Sequence, residues 1–130
     1  MDGFATCWLA SYEPASGRFR WASAGHPPPV VVTGDGASLL AGGPDPPLGL
    51  VARARVDRVG GLEPGETLIA YSDGLVERRG EALTDSLARL VELAARLGPV
   101  DADLPDRLIE GIPDARGPRD DLCVLVLQRS

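Results

Sequence analysis

The spacing of apolar residues changes along this chain, and that change limits the folds that it can adopt. Up to residue 76, apolar residues form short runs separated by glycine and proline, as in strands joined by tight turns. From residue 83 to residue 97 they recur at helical spacing. A last apolar run at 122–127 returns to a strand pattern. This order predicts an α+β fold, with antiparallel strands, a helical excursion and one strand that returns to the sheet.

The first strands are predicted from runs that alternate or are wholly apolar. Residues 4–11 are apolar on both alternating faces, which is typical of a strand covered on each side. Residues 18–24 carry Phe19 and Trp21 on one face only, so we expect a half-exposed strand paired with the first. Residues 30–32 and 38–40 flank a turn, which predicts a second hairpin.

The remaining elements follow from weaker alternation, turn residues and helical spacing. Residues 53–59 alternate weakly, and Pro64-Gly65 predicts a turn that leads into a strand at 67–71. Gly98 is a candidate C-cap for the helix at 83–97. A shorter second helix begins near residues 103–105 and carries Leu108 and Ile109.

Composition excludes several functional classes. The chain has 130 residues, which fits one domain, and its net charge is -6 with every basic residue an arginine. An acidic chain is a poor match for sequence-independent nucleic-acid binding, which needs a basic surface. No apolar run approaches the length of about 20 residues that a membrane-spanning helix needs. We also find no signal-peptide pattern and expect a soluble, cytoplasmic protein with no membrane partner.

The two cysteines do not predict a metal or redox centre. Cys7 and Cys123 each lie inside an apolar run, at a spacing that matches no zinc or thioredoxin pattern. We expect both to be reduced and buried in the core.

Two aspartates are the leading candidates for a functional site. Asp73 ends the apolar run at 67–71, and Asp120 precedes the run at 122–127. Carboxylates gathered at one rim of a sheet repel each other, and a hard divalent cation between them removes that repulsion. The alternative is that each aspartate only caps a turn, as aspartate often does.

Other polar residues near these aspartates have weaker signals. Gly74 permits close approach of the backbone to a ligand, although its ordinary role is a turn with positive φ. Asp121 is expected to be a turn residue or a neighbour of the site. His26 is the one histidine of the chain, which excludes a metal site built on several imidazoles. The segment around Ser72 also lacks the nucleophile-elbow pattern of a serine hydrolase.

Five segments occur in an order that resembles a known family. They are residues 24–28 (AGHPP), 47–50 (PLGL), 62–68 (LEPGETL), 71–75 (YSDGL) and 120–122 (DDL). Together they resemble the C-terminal part of the metal-dependent PPM, or protein phosphatase 2C-like, serine/threonine phosphatases, and within them the SpoIIE/RsbU type. The resemblance runs from residue 4 to residue 127.

The resemblance implies a fold, a metal centre and a reaction. The family fold is an antiparallel β-sandwich with flanking helices, in which aspartates at one rim hold two Mn²⁺ or Mg²⁺ ions. A metal-activated water hydrolyses phosphoserine or phosphothreonine, so no catalytic residues beyond the metal ligands are implied. The motifs place metal ligands at Asp73 and Asp120, with Gly74 and Asp121 in adjoining positions. The implied substrate is a phosphorylated protein in stress-response or sigma-factor regulation, for example an anti-sigma-factor antagonist.

The sequence departs from the family pattern in one respect. The family's N-terminal part carries a Gly-Asp-x-x-Asp motif, whose first aspartate bridges the two metals, and these 130 residues contain no such motif. We therefore expect residues 1–130 to be a single partial phosphatase domain with weak metal binding, little or no activity alone and a tendency to self-associate. The alternative function is a catalytically inactive, phosphatase-like protein-interaction module.

Overall fold

Seven strands and two α-helices build the computed structural model, which describes residues 3–50, 54–98, 100–112 and 122–130. The strands are β1 (Cys7–Glu13), β2 (Arg18–Ala24), β3 (Val30–Thr33), β4 (Gly36–Leu39), β5 (Arg58–Gly61), β6 (Thr67–Tyr71) and β7 (Val124–Gln128). The helices are α1 (Leu83–Arg96) and α2 (Leu104–Gly111), and a short 3₁₀ turn spans Asp73–Leu75.

The strands form two antiparallel sheets that pack face to face. One sheet has the order β1-β2-β5 and the other the order β4-β3-β6-β7. Between them lies a core of buried apolar side chains, formed by Phe19, Trp21, Leu62 and Leu68. The α+β class and the antiparallel β-sandwich expected from the sequence are therefore confirmed.

Both helices cover the other face of the four-stranded sheet. Leu90 of α1 and Leu108 of α2 are completely buried against Val30 and Ile69 of the sheet. The molecule thus has a helical layer, a four-stranded layer and a three-stranded layer. Gly98 has φ of +75° directly after the last turn of α1, as expected for a C-cap glycine.

The prediction that the first strand is covered on both faces is wrong. β1 begins at Cys7 and not at Phe4, and its residues alternate between exposed and half-buried. Leu9, on the outer face, is 71% exposed. The physical reason is that no element among the described residues covers the outer face of the three-stranded sheet.

The weak strand predicted at 53–59 is also displaced. Residues 54–57 form no regular structure, and residues 51–53 lie outside the described part of the chain. The observed strand β5 ends in Gly60 and Gly61, which carry no side chain to signal it. A Cβ on Gly60 would lie 2.5 Å from Cζ of Phe19, so glycine here makes room for that aromatic ring.

The other predicted strands are found close to their expected positions. The strand at 18–24, the hairpin at 30–39, the strand at 67–71 and the last strand all form. Neither helix in the described part of the chain is long and apolar enough to cross a membrane.

Candidate functional site

Several strand ends meet at one rim of the sandwich. β2 ends there at Ala24 and β6 at Tyr71, while β1 begins there at Cys7 and β7 at Val124. The pairing of β6 with β7 extends past the strands, because the N–H of Ser72 donates to the carbonyl of Cys123 at 2.9 Å. The N–H of Cys123 in turn donates to Oγ of Ser72, also at 2.9 Å. This rim carries the polar residues described below.

Asp73 lies at this rim because the chain leaves β6 in a tight helical turn. The N–H groups of Val76 and Glu77 donate to the carbonyl oxygen of Asp73 at 3.0 Å and 2.9 Å. Leu75 and Val76 are buried, which anchors the turn to the core. The Asp73 side chain is left 29% exposed.

Two residues from the opposite sheet contact the Asp73 carboxylate. The hydroxyl of Thr6, just before β1, donates to Oδ2 at 2.8 Å. Nδ1 of His26, just after β2, lies 3.0 Å from Oδ1. Thr6 Oγ1 and His26 Nδ1 are themselves 3.2 Å apart. The three side chains therefore form one polar cluster that joins the two sheets at the rim.

The hydrogen-bond partner of Nε2 defines one proton position on the His26 ring. Nε2 lies 2.7 Å from the carbonyl oxygen of Tyr71, and a carbonyl only accepts, so Nε2 carries a proton. The single hydroxyl proton of Thr6 is used by Asp73. Nδ1 lies 3.0 Å from Oδ1 of Asp73, a distance at which a protonated Nδ1 would donate to the carboxylate.

The two oxygens of Asp73 are not equivalent. Oδ1 is buried and makes no hydrogen bond of good angle, although Nδ1 of His26 lies 3.0 Å away. This contact is an ion pair when the imidazole is protonated at both ring nitrogens. Because Oδ1 is buried, any exposure of the carboxylate oxygens to solvent is at Oδ2.

The backbone around His26 fixes the position of the imidazole. Ser23 donates its hydroxyl to the carbonyl oxygen of His26 at 3.0 Å. Gly25 has φ of +65°, and a Cβ at this position would overlap the ring of Pro47. The turn that carries His26 therefore depends on glycine at position 25.

Tyr71 connects the same loop to β6. Its hydroxyl donates to the carbonyl oxygen of Pro28 at 2.6 Å, and the residue is 6% exposed. Burial raises the pKa of the Tyr71 phenol above its ordinary range, and the nearby charge of Asp73 raises it further. The phenol is therefore a hydrogen-bond donor that stays neutral at neutral pH.

An open cleft of about 330 Å³ borders this cluster. Thr6 and His26 line it together with Tyr71, Ser72 and apolar side chains. Cys7 and Cys123 also line it as free, exposed thiols, so the prediction that both are buried core residues is wrong. Each lies at the start of a strand, at the open end of the sandwich, where strand residues are not covered by the opposite sheet.

The structure locates part of the site predicted from the sequence. Asp73 lies at the end of a strand and on a sheet rim, as predicted. Asp120 and Asp121 lie outside the described residues, and the described chain resumes at Leu122. Gly74 is the central residue of the 3₁₀ turn and is not among the glycines with positive φ, so the expected positive φ is wrong.

Thr6 is a site residue that sequence reasoning missed. It lies 67 positions from Asp73, and a threonine next to an apolar run carries no local signal of such a contact. His26 was recognisable as the one histidine, but its contact with Asp73 was not. Among the described residues, no three His, Cys, Asp or Glu side chains are grouped so that they could hold a metal.

Comparisons with known proteins match all or nearly all of the chain. The family model described as stage II sporulation protein E (SpoIIE) matches residues 1–130. The crystal structure of the RsbU and RsbW domains of a Mycobacterium tuberculosis protein is 33% identical to the chain, with a TM-score of 0.75. The alignment covers 95% of this chain and 36% of that one.

Two further structures share the fold at lower identity. The phosphatase domain of the cell fate determinant SpoIIE from Bacillus subtilis is 19% identical, with a TM-score of 0.70, over 95% of this chain and 58% of that one. RsbX, crystallised in complex with magnesium, is 16% identical, with a TM-score of 0.64, over 96% of this chain and 56% of that one. The chain therefore spans between 36% and 58% of the length of these three structures.

Proposed function

The chain belongs to the SpoIIE family, and from that premise we propose that it is the C-terminal portion of the catalytic domain of a metal-dependent protein serine/threonine phosphatase. The similar solved structures include a phosphatase domain, which supports the reaction class. The observation that carries the proposal is the placement of Asp73. The aspartate that the family motif marks lies on an open rim, next to a cleft, with its carboxylate oriented by two other side chains.

The proposed cofactor is Mn²⁺ or Mg²⁺, held by Asp73 and Asp120. A carboxylate oxygen is a hard ligand of the kind that these cations take, and Oδ2 of Asp73 retains free lone pairs beyond its bond from Thr6. The magnesium in the RsbX crystal structure supports the choice of cation class. A bound divalent cation would supply an activated water and would neutralise phosphate charge.

The residues of this chain would hold the cation in place. Asp73 and Asp120 are the proposed ligands, and Gly74 and Asp121 adjoin them in the family motifs. We assign no general acid or base among the described residues. Both ring nitrogens of His26 face Asp73, Thr6 or the Tyr71 carbonyl, so neither points toward a substrate.

The proposed substrate is a phosphorylated serine or threonine in a protein. The family resemblance further suggests an anti-sigma-factor antagonist, and hence a role in stress-response or sigma-factor signalling. This part of the proposal is supported by the family resemblance.

Phosphate release from a phosphoserine peptide and from an aryl phosphate tests this function. The chain is assayed with and without Mn²⁺, together with Asp73→Asn, Asp120→Asn and the control Asp106→Asn. Asp106 is an exposed residue of α2, so its charge change is matched but remote from the rim. We expect slow, cation-dependent release that is lost in the first two variants and kept in the control.

The second candidate is a protein-interaction module without activity. It is favoured by the absence from these 130 residues of the Gly-Asp-x-x-Asp motif, whose first aspartate bridges the two metals in the family. If the wild-type chain releases no phosphate at any Mn²⁺ concentration, catalysis by this chain alone is wrong and the interaction module is the better description.

A further inference from the structure

We propose that Thr6 and His26 are positioning residues, which hold the Asp73 carboxylate so that Oδ2 is the oxygen presented to a divalent cation. This inference rests on the proposed metal site at Asp73 and assigns to it two residues that the family motifs for the metal ligands do not include. Neither Thr6 nor His26 needs to touch the cation or the substrate.

Each oxygen of the Asp73 carboxylate contacts a different residue. His26 approaches the buried Oδ1 at 3.0 Å, and Thr6 donates to Oδ2 at 2.8 Å. A carboxylate contacted at both oxygens is fixed in its rotation about the Cβ–Cγ bond. Each carboxylate oxygen has two lone pairs, so the bond from Thr6 still leaves Oδ2 able to bind a cation.

The two partners are themselves held by other parts of the fold. Nε2 of His26 is bound to the Tyr71 carbonyl, two residues before Asp73. The hydroxyl of Ser23 holds the backbone of His26 from the other side. The imidazole therefore bridges the end of β2 and the end of β6, and its position does not depend on Asp73 alone.

This geometry differs from that of a nucleophile activated by histidine. In a hydrolase triad, the carboxylate and the nucleophile contact opposite nitrogens of the imidazole. Here the hydroxyl of Thr6 and the carboxylate of Asp73 both approach Nδ1, at 3.2 Å and 3.0 Å, while Nε2 is used by a backbone carbonyl. The cluster is arranged to orient a carboxylate and not to activate the threonine.

The functional consequence is a change in metal affinity. Groups that hydrogen-bond a metal ligand typically change affinity or activity by about 10–100-fold when they are removed. We therefore expect loss of the Thr6 hydroxyl to weaken Mn²⁺ binding by about 10-fold, because the carboxylate must then be ordered when the cation binds.

The test measures Mn²⁺ affinity by electron paramagnetic resonance in Thr6→Val and Thr6→Ser. Valine matches threonine in shape and lacks the hydroxyl, whereas serine keeps the hydroxyl. We expect about 10-fold weaker binding in the valine variant and binding within about twofold of wild type in the serine variant. Equal affinity in all three proteins, with Asp73→Asn abolishing binding, would overturn the positioning role while leaving the metal site intact.

A second measurement needs no metal. Urea unfolding is followed for His26→Gln, Asp73→Asn and the double variant, with Thr6→Val and Thr6→Val/Asp73→Asn as a parallel set. Side chains that contact each other give non-additive changes in stability, whereas separate ones add. We expect clear non-additivity in both sets.

Strictly additive changes would mean that the cluster does not form in solution, and the inference would fall. If wild-type protein binds no Mn²⁺, the proposed metal site fails, but the urea measurement still decides whether Thr6 and His26 hold Asp73. The two failures are therefore distinguishable.

Discussion

Gly25 determines where the imidazole of His26 lies. Its φ of +65° is in the left-handed region, which residues with a Cβ avoid. A Cβ there would also lie 2.8 Å from Cδ of Pro47, whose ring cannot rotate away. The glycine before His26 is thus required both by the backbone and by the packing of a neighbouring loop.

We predict that Gly25→Ala lowers the free energy of unfolding by about 2–4 kcal/mol. Roughly 1 kcal/mol comes from the left-handed backbone and about 1–3 kcal/mol from the overlap with Pro47. The control is Gly65→Ala, where φ is +88° but no atom lies within 4 Å of the new Cβ. Urea unfolding that shows equal losses for the two variants would exclude the packing contribution.

Tyr71 makes the stability of the fold sensitive to high pH. Its pKa is raised in the folded state by burial and by Asp73, while an unfolded tyrosine ionises at about pH 10. Above that pH the unfolded chain has lost a proton that the folded chain retains. The contribution of the protonated Tyr71 to the stability of the fold is therefore fully present below about pH 10, and it is lost as the pH rises further.

We predict an alkaline fall in stability with a slope of at most about 1.4 kcal/mol per pH unit. The chain contains no lysine, so no lysine contributes in this pH range. In Tyr71→Phe, the fall of unfolding free energy with pH that is due to Tyr71 should disappear. In the control Tyr12→Phe, this fall should remain. Urea unfolding between pH 9 and pH 11 measures this, and an unchanged slope in Tyr71→Phe would contradict the assignment.

The helix α1 stabilises the four-stranded sheet through a single buried face. Leu90 is 0% exposed, whereas Leu83 at the start of the same helix is 44% exposed. Helix formation here depends on packing more than on intrinsic propensity, because a helix of 14 residues is marginal in isolation. Variants at these two positions should therefore differ strongly.

We predict that Leu90→Ala costs about 2–5 kcal/mol of unfolding free energy, as expected for a cavity in a packed core. Leu83→Ala, in the exposed first turn of the same helix, should cost less than about 1 kcal/mol. Thermal unfolding of both variants measures the difference. Similar midpoints for the two would show that α1 does not pack against the sheet as described.

These elements also show which parts of the fold were predictable. The helix at 83–97 was predicted because its apolar spacing and Gly98 are both local signals, and both are observed. Strand β5 was misplaced because Gly60 makes room for Phe19, which is a tertiary requirement without a local signal. In the same way Asp73 was predicted from its position after a strand, whereas Thr6 depends on a contact between the two sheets.

One sheet face is uncovered in the part of the chain that the structure describes. Helices cover the four-stranded sheet, but within the described residues no element covers the outer face of the three-stranded sheet. Leu9 and Val59 lie on that face and are 71% and 62% exposed. Exposed apolar side chains on a sheet face, together with the edge of β1 that no described strand pairs with, favour association.

We predict that the chain self-associates as its concentration rises, and that Leu9→Thr/Val59→Thr reduces this association. The control is Leu83→Thr, which removes an exposed apolar side chain from α1 instead. Sedimentation velocity measures the distribution of species. A wild-type chain that stays monomeric at high concentration would contradict the prediction.

The most direct test of the metal site is the binding of Mn²⁺ to the wild-type chain, to Asp73→Asn and to Asp106→Asn, measured by electron paramagnetic resonance. We predict weak binding to the wild type, because a cation of this kind normally takes about six oxygen ligands and the chain is expected to supply two carboxylates. That binding should be lost in Asp73→Asn and kept in Asp106→Asn. Equal binding by all three proteins would contradict the assignment of Asp73 as a metal ligand.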